Sequence, residues 1–503
     1  MPNKTVLLMS RGSRLHHLFY EMAVALSADH KVVVLASPEE VSSFKKIPSV
    51  QVYPYRTPDV ADDKDVNVPR RVRLARRSMV ETLDDQFVTP ARVKAIEKEI
   101  GLTLYQAASN YLLYGQIVRD YGGVWDYMQT HEEIVQSYVG AYHTLSKIFA
   151  DVHPSVVFYE TLDNISSCVA FALARRHGIF GLEFRFSTLG QGQITPAFGF
   201  RRSNIVLEHL YRQKALIATS SFGQADNVLD SLQDHLEKSA YARMHKKMVN
   251  DSSPLNFKQV LPRLQRWANV RRGLHNLRWH VQSARNRFWL ERHLTQVVPD
   301  APYVFFPMHH QPEASTCSES PAWVHQDMII EQLAIHAPGE FKVVVKEHPR
   351  SYGRRGEKFF GRLLKLPNVI VCHPLVDNTS LIKKAAAVVV VNGSIGLEAI
   401  LAGARVGVLG RPYYSLYRGA VKLKRPEDIY EALCDEAWCP ETMLEERRSF
   451  LAAYTQSLYE FGHSVDDKIY PESGGQHWAH ALRSTMKFIT DHKLKPADFE
   501  SGW

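Results

Sequence analysis

The sequence predicts an α/β protein with two parallel-sheet units, and three observations carry that prediction. The chain opens on a β-α-β pattern. A longer alternation of short valine-rich runs with helical segments occupies about residues 303–415. Between and after these units, strand patterning gives way to helical patterning. Alternating strand and helix signals imply parallel strands, because each parallel crossover needs a connection long enough to hold a helix.

In chain order, Thr5–Met9 is strand-like. The loop Ser10–Arg14 follows, then a helical pattern over Leu15–Leu26 and a second strand at Lys31–Leu35. The loop has no GxGxxG, so the dinucleotide fingerprint is absent. A helical insert spans about 60–150 and contains the basic run Arg70–Arg77. Strands resume at Ser155–Tyr159 and Gly181–Phe184, with a helix predicted over Cys168–Arg176 between them. Residues 205–295 show no strand signal. Arg263, Arg266, Arg271, Arg272, Arg278, Arg285, Arg287 and Arg292 lie there among Trp267, Trp279, Phe288 and Trp289. That mixture suits an anionic membrane surface or single-stranded nucleic acid, or a helical pair packing its aromatics inward. The second unit has strands at Tyr303–Phe306, Lys342–Val345, Val369–Cys372, Val388–Val391 and Val406–Leu409. Beyond about residue 425 the pattern is helical. The domains expected are 1–200 with its insert, a basic helical connection at 201–300, a second α/β domain at 301–425, and terminal helices at 426–503.

The chain has 503 residues, enough for two or three cores. Its 45% apolar and 23% charged composition is that of a soluble globular protein. The net charge of +8 favours anionic partners. The five cysteines are odd in number and scattered, with no CxxC. They argue against a disulfide framework or zinc site and fit a reducing cytoplasm. No run approaches the roughly 18 apolar residues of a membrane span, and the first apolar run reads as a strand rather than a signal peptide.

Four constellations carry chemistry. Lys346, Glu347, His348, Pro349 and Arg350 stand where a buried valine strand runs out, and ligands of open α/β sheets bind at the carboxyl ends of strands. His348 at such an end can donate to a phosphate or carry a proton, with Lys346 and Arg350 adding positive charge. The second is Asn392-Gly393-Ser394-Ile395-Gly396 ahead of Glu398. Its glycines admit a ligand close to the backbone, Ser394 is a candidate helix cap, and a helix's first N–H groups favour an anion. Glu398 is placed to accept from ribose hydroxyls. The third is Met308–Thr316, where Gln311, Glu313 and Ser315 offer polar contacts. His309 and His310 lack the spacing of metal ligands, so no metal is expected. The fourth is Glu160 with Asp163 and Asn164. The carboxylates are candidates for a general base, with Asp163 equally suited to capping a helix.

These motifs together resemble the capsular polysaccharide synthesis family of bacterial glycosyltransferases. The resemblance rests on Gln311–Thr316, Gln326-Asp327 ahead of Ile330-Glu331, Val345–Arg350, Leu366–Val369, and Gly393–Ala399 with Gly403. It departs at Cys317-Ser318-Glu319-Ser320, where a small glycine-bearing stretch is expected. The resemblance implies a GT-B architecture, two Rossmann-like domains facing a cleft, with the donor on the C-terminal one. It also implies that His348 binds the donor phosphate, that the turn at Ser394 assists, and that Gln311 sits at the donor sugar. The expected donor-binding set is Gln311, Lys346, His348, Arg350, Asn392, Gly393, Ser394, Gly396 and Glu398. The expected catalytic set is Glu160, Asp163, Glu313 and His348.

The function expected is metal-independent transfer of a sugar from a nucleotide donor to a saccharide or lipid-linked acceptor. CMP-activated Kdo (3-deoxy-manno-octulosonate) is the leading donor. No cofactor is expected, since the nucleotide-sugar is a substrate, and no nucleic acid partner. The expected location is the cytoplasm, with an anionic membrane surface as a further partner. The competing expectations are a CDP-alcohol phosphotransferase of teichoic-acid type and a non-catalytic scaffold for polysaccharide export.

Overall fold

A computed structural model of the chain describes residues 4–10, 15–54, 88–120, 130–189, 192–200, 202–231, 267–439, 443–462 and 473–499. Two sheets organise it. The first is built from β1 (Thr5–Met9), β2 (Lys31–Ala36), β3 (Val50–Pro54), β4 (Val156–Tyr159), β5 (Phe180–Phe186), β6 (Gln193–Phe198) and β13 (Tyr459–Glu460). The spatial order is β13-β6-β5-β4-β1-β2-β3. β1 to β5 pair in parallel, and β6 and β13 close one edge antiparallel. The valine-rich cores of β1, β2 and β4 are buried on both faces, so they read as continuous apolar runs rather than alternating ones.

The second sheet contains β7 (Tyr303–Pro307), β8 (Lys342–Lys346), β9 (Val369–Cys372), β10 (Ala387–Val390), β11 (Val406–Val408) and β12 (Ala420–Lys422). All its pairings are parallel, in the order β12-β11-β10-β7-β8-β9. The chain therefore winds outward from β7 to one edge, then from β10 to the other. This is Rossmann-type winding, and its direction reverses between β7 and β10. In the first sheet the same reversal falls between β1 and β4. Such reversals open a crevice beyond the carboxyl ends of the strands, where ligands bind. The architecture is the two-domain GT-B plan that the resemblance implies.

The lobes do not coincide with consecutive halves of the chain. After β6 the chain enters the second lobe. The helices Ile205–Arg212 and Thr219–Asp230 bury Val206, Leu207, Leu210 and Ala225 in the same core as Phe305, Val388 and Phe450. After the helix Leu444–Gln456 it returns. β13 joins the first sheet, and the helix Gly474–Asp491 buries Trp478 and Leu482 with Phe19 and Phe158 of the first lobe. The expectation of helix alone beyond residue 425 is corrected by β13, two residues too short to leave a periodic signal. The strands β3, β6 and β12 likewise lie where none is predicted.

In the insert the described helices are Pro90–Ile100, Leu104–Asp120 and His131–Val152; Arg70–Arg77 lie outside the described residues. Ile117 of the insert packs with Cys317 and Val324 of the second lobe. Among the described residues the aromatic and basic region is one helix, Trp267–His293. Its described part docks through Ser283, Asn286 and Leu290. Gly353 faces it at φ +83°, and a side chain at that position would meet Arg287 and Ser283 at 2.8 Å. The other side of the helix leaves Val281 60% and Phe288 59% exposed, with Arg292 over the Phe288 ring at 3.8 Å. Arg263 and Arg266 lie outside the described residues. No helix among the described residues is long and apolar enough to cross a membrane.

Candidate active site

Three loops of the second lobe meet at the reversal point: residues 308–316 after β7, 347–355 after β8, and 391–396 after β10. Arg355 fastens the first two together. Its side chain is fully buried and forms an ion pair with Glu347 at 2.7 Å. It also donates to the His309 carbonyl at 3.1 Å and to Gln311 Oε1 at 3.0 Å. Glu347 in turn accepts the backbone N–H of His348 at 2.7 Å. Desolvation raises the Glu347 carboxyl above the usual range, and the guanidinium opposes it. Nothing in the local sequence marks Arg355, whose partners are reached only through the fold.

His348 is half-buried at the start of this loop, and its Nδ1 accepts the Arg350 backbone N–H at 3.1 Å. That bond leaves Nε2 to carry the proton of the neutral ring. The His310 ring lies 5.5 Å away, its Nδ1 3.0 Å from Ser351 Oγ. His309 has a different role. It is buried, its Nε2 accepts the Asn392 backbone N–H at 3.2 Å, and burial lowers it to about 4. It is a neutral strut between two loops.

Two residues expected at the donor are occupied inside the fold. Gln311 is 2% exposed. It gives its amide to the Val324 carbonyl at 2.6 Å and receives Arg355, so its geometry departs from contact with a donor sugar. The Asn392 amide donates to the Ser315 carbonyl and Ser320 Oγ, and its oxygen accepts the Arg411 N–H. Both shape the crevice rather than enter it.

The turn after β10 also differs from expectation. Ser394 begins the helix Ile395–Leu401 in helical conformation and makes no side-chain cap. Gly396 is buried, and a Cβ there would meet Tyr414 Oη at 2.3 Å, so this glycine admits a tyrosine rather than a ligand. The Tyr414 hydroxyl donates to the Gly393 carbonyl. Gly393 and Ser394 remain half-buried at the surface of the turn. Below it, Lys346 is buried and its ammonium donates to Asn378. Desolvation pulls Lys346 down to about 8, against the pull of Asp377 and Glu398. Desolvation pushes Glu398 up to about 7, with Lys346 opposing. A cation and a carboxyl that both titrate near neutrality thus lie under the turn.

From the first lobe, Glu160 and Asp163 follow β4 at the other reversal point, both half-buried. The helix there is Ile165–Arg176 and its cap is Asn164, which accepts the Ser167 N–H at 2.9 Å. Asp163 is therefore not the cap, and its carboxylate accepts from the Asn164 amide at 3.2 Å. Next to it, Arg185 donates through two nitrogens to buried Glu183, at 2.8 and 3.1 Å. The lobes meet here. Glu319 of the second lobe pairs with Arg202 and lies 3.9 Å from Arg185. Glu319 belongs to the segment where the sequence departs from the family pattern. Glu313, on the second lobe, accepts the Ser315 hydroxyl at 2.9 Å. Among the described residues no three His, Cys, Asp or Glu side chains converge as a metal site.

Residues 314–431 match the family model described as capsule polysaccharide biosynthesis protein. No curated protein matches the chain. Among solved structures, the beta Kdo 2,4 transferase KpsC of Thermosulfurimonas dismutans is 14% identical over 61% of this chain and 82% of its own, with a TM-score of 0.38. The beta Kdo 2,7 transferase KpsC of the same organism is 13% identical over 74% and 95%, at 0.36. Alr3699/HepE of Anabaena, in complex with UDP, is 10% identical over 98% and 100%, at 0.27.

Proposed function

We propose that this chain, which carries the capsule polysaccharide biosynthesis signature over residues 314–431, is a metal-independent glycosyltransferase using a nucleotide-activated sugar. The observation that carries the proposal is the union of the loops after β7, β8 and β10 at the reversal point of the second sheet. There Arg355 ties the second loop to His309 and Gln311, and His309 ties the first loop to Asn392, so His348 and the turn at Gly393–Ser394 follow strand ends of one sheet, with Lys346 buried at the end of β8. In this reading the leaving phosphate sits against His348 Nε2 and the backbone of the turn, with Arg350 at the rim. Lys346 supplies positive charge from beneath, and Glu398 takes a ribose hydroxyl. Charge growing on the leaving phosphate is then met by groups already fixed in place, the arrangement that lowers a barrier most. A carboxylate from Glu160, Asp163 or Glu313 removes the acceptor's hydroxyl proton as that oxygen attacks the anomeric carbon, and the nucleotide departs.

CMP-Kdo is the leading donor, and a saccharide or lipid-linked saccharide the acceptor. The exposed Arg278, Arg285 and Arg292 with Val281 and Phe288 support a further reading, that the helix Trp267–His293 rests on an anionic membrane surface at the inner face of the cytoplasmic membrane. The test is hydrolysis and transfer from CMP-, UDP-, GDP- and CDP-linked donors by wild type and His348→Ala. Loss of one charge-assisted donor is expected to cost about 2–4 kcal/mol in the transition state, on the order of 100-fold in rate. Turnover of CDP-alcohols alone would favour a phosphotransferase. Turnover of none of the panel would favour a scaffold. Wild-type rates in folded His348→Ala would remove His348 from the mechanism.

A further inference from the structure

The helix Trp267–His293 packs its inner side on the loop that carries His348, and nothing in the chemistry above uses that contact. Asn286 is buried there, and its amide donates to the Gly353 carbonyl at 3.0 Å while its oxygen accepts from Gln282 at 2.9 Å. Further along the same helix, the Glu291 carboxylate accepts the Tyr352 hydroxyl. We infer that Tyr352 and Glu291 are positioning residues for His348: the helix holds the tyrosine, and the tyrosine sets where the His348 ring sits and which of its nitrogens carries the proton. The inference rests on the transferase reading and deepens it by naming residues that govern the rate without touching the donor.

The contact admits one register. A side chain at Gly356 would collide with the Asn286 amide, as one at Gly353 would with Arg287 and Ser283, so the loop backbone lies directly against the helix. Tyr352 is buried between two elements. The Arg287 guanidinium lies over its ring at 5.5 Å, and the His373 ring from the loop after β9 meets it edge-on at 5.1 Å. The Glu291 carboxylate ties both together, since it accepts the Tyr352 hydroxyl and also His373 Nε2 at 3.2 Å. His373 Nδ1 accepts the Leu375 N–H at 3.2 Å, which leaves the ring's proton on Nε2 to be donated. The bond from Tyr352 holds the Glu291 carboxyl below its ordinary range, and bonds to an ionised acceptor are the stronger kind.

From Tyr352 to His348 the path is a single tight turn. Pro349–Ser351 form a 3-10 turn with His348 at its cap and Tyr352 directly after it. The Ser351 N–H donates to the His348 carbonyl at 2.8 Å, and the Tyr352 N–H to the Pro349 carbonyl at 3.2 Å. Ser351 is inaccessible to water, and its hydroxyl lies 3.0 Å from His310 Nδ1. The turn therefore moves as a unit with Tyr352. It carries Arg350, whose backbone N–H at 3.1 Å occupies His348 Nδ1 and so keeps the proton on Nε2. Displacing a reacting group by about 1 Å can cost on the order of 100-fold in rate. Glu291 itself fills no core, because its side chain is 48% exposed. Tyr352→Phe removes only the hydroxyl and keeps the ring in its place.

Nitrogen NMR of the full chain labelled at histidine, without donor, is the first test, with the His348 ring identified by its loss in His348→Ala. Wild type should show a protonated Nε2 and an unprotonated Nδ1, and Tyr352→Phe and Glu291→Ala should draw the two nitrogen shifts together. The second test is turnover of whichever CMP-, UDP-, GDP- or CDP-linked donor the wild type uses. Tyr352→Phe and Glu291→Ala should each lose about tenfold in kcat with donor KM within about twofold. Glu291→Gln keeps an acceptor for the hydroxyl and should retain most of the rate. The double variant Tyr352→Phe/Glu291→Ala should lose no more than either single variant, as two ends of one contact do. Thermal melting confirms the fold of each variant. A wild-type His348 spectrum or wild-type kcat in folded Tyr352→Phe and Glu291→Ala would overturn the inference. So would losses that multiply in the double variant, or equal losses in Glu291→Gln and Glu291→Ala. Absence of donor turnover by wild type would instead sink the transferase reading, and the His348 spectrum would still decide the positioning.

Discussion

Replacing Arg355 with methionine removes the fastening between the loops after β7 and β8. Methionine approximates the arginine stem, so the change is chiefly one of charge and hydrogen bonding. Three acceptors lose their donor: Glu347 at 2.7 Å, Gln311 Oε1 at 3.0 Å and the His309 carbonyl at 3.1 Å. Both side chains of the ion pair are inaccessible to water, so water does not replace the guanidinium. Removing one partner of such a pair costs about 3–5 kcal/mol, mostly because the remaining charge is stranded. The sign with pH follows from Glu347, whose carboxyl is already raised above its ordinary value and rises further without the guanidinium. A native state that holds a proton longer than the unfolded chain loses stability as pH climbs from the unfolded value, about 4.3, toward the folded one. The deficit of Arg355→Met should therefore be larger at pH 8 than at about pH 4.5. The paired variant Glu347→Gln/Arg355→Met removes the stranded charge and should recover about 1–3 kcal/mol of the summed single losses. Urea unfolding of wild type, both single variants and the double variant, at both pH values, measures this cycle. A loss below about 1 kcal/mol in Arg355→Met, or strict additivity in the double variant, would refute the account.

Donor kcat/KM should rise toward pH 7, as Glu398, held at about 7, ionises to accept the ribose hydroxyl, and fall above about pH 8, because Lys346, held at about 8, loses the charge that offsets the phosphate. Lys346→Met should lower the maximum and flatten the falling limb, and a wild-type profile level to pH 9.5 would dismiss the role. At least one of Glu160→Gln, Asp163→Asn and Glu313→Gln should abolish transfer while still binding donor nucleotide. Near-normal rates in all three would move the base elsewhere. On anionic vesicles at low salt, Arg285→Gln/Arg292→Gln should lose about 2 kcal/mol of binding, roughly 30-fold, by sedimentation. Equal binding of wild type to neutral and anionic vesicles would mark the exposed side of the helix as having no lipid role.

The parts of this fold visible in the sequence are those whose signal is local. The apolar runs of β7, β8 and β10 are buried on both faces, so they stand out as uninterrupted apolar segments. The motif after each follows directly, which brought His348 and Ser394 into view. Roles set by distant partners were not visible. Gln311 and Asn392 look like ligands of a substrate in a motif, yet Arg355, Val324, Ser315 and Ser320 consume their amides. Gly396 looks like room for a phosphate until Tyr414, eighteen positions on, fills it. Glu319 could be flagged only as a departure, since its partners Arg185 and Arg202 belong to the other lobe. Edge strands such as β13 are too short for period to reveal.

The return of the chain to the first lobe has a consequence for its synthesis. On the ribosome, residues 205–231 and 267–456 hold the main cores of the second lobe and emerge before the last segment does. The first lobe, though begun at Thr5, still lacks Phe461, Trp478, Leu482 and Phe499 at that moment. Its sheet has an open edge at β6, and the face that meets Trp478 is bare. The lobe translated second is thus able to finish first, and the lobe translated first waits, half assembled, until Phe461, Trp478, Leu482 and Phe499 have emerged. During that interval its unpaired strand edge and exposed aromatics are what a chaperone would meet. A nascent chain stalled before residue 459 should remain protease-sensitive in the segment carrying Phe19 and Phe158, and become resistant once Gly474–Asp491 has left the tunnel.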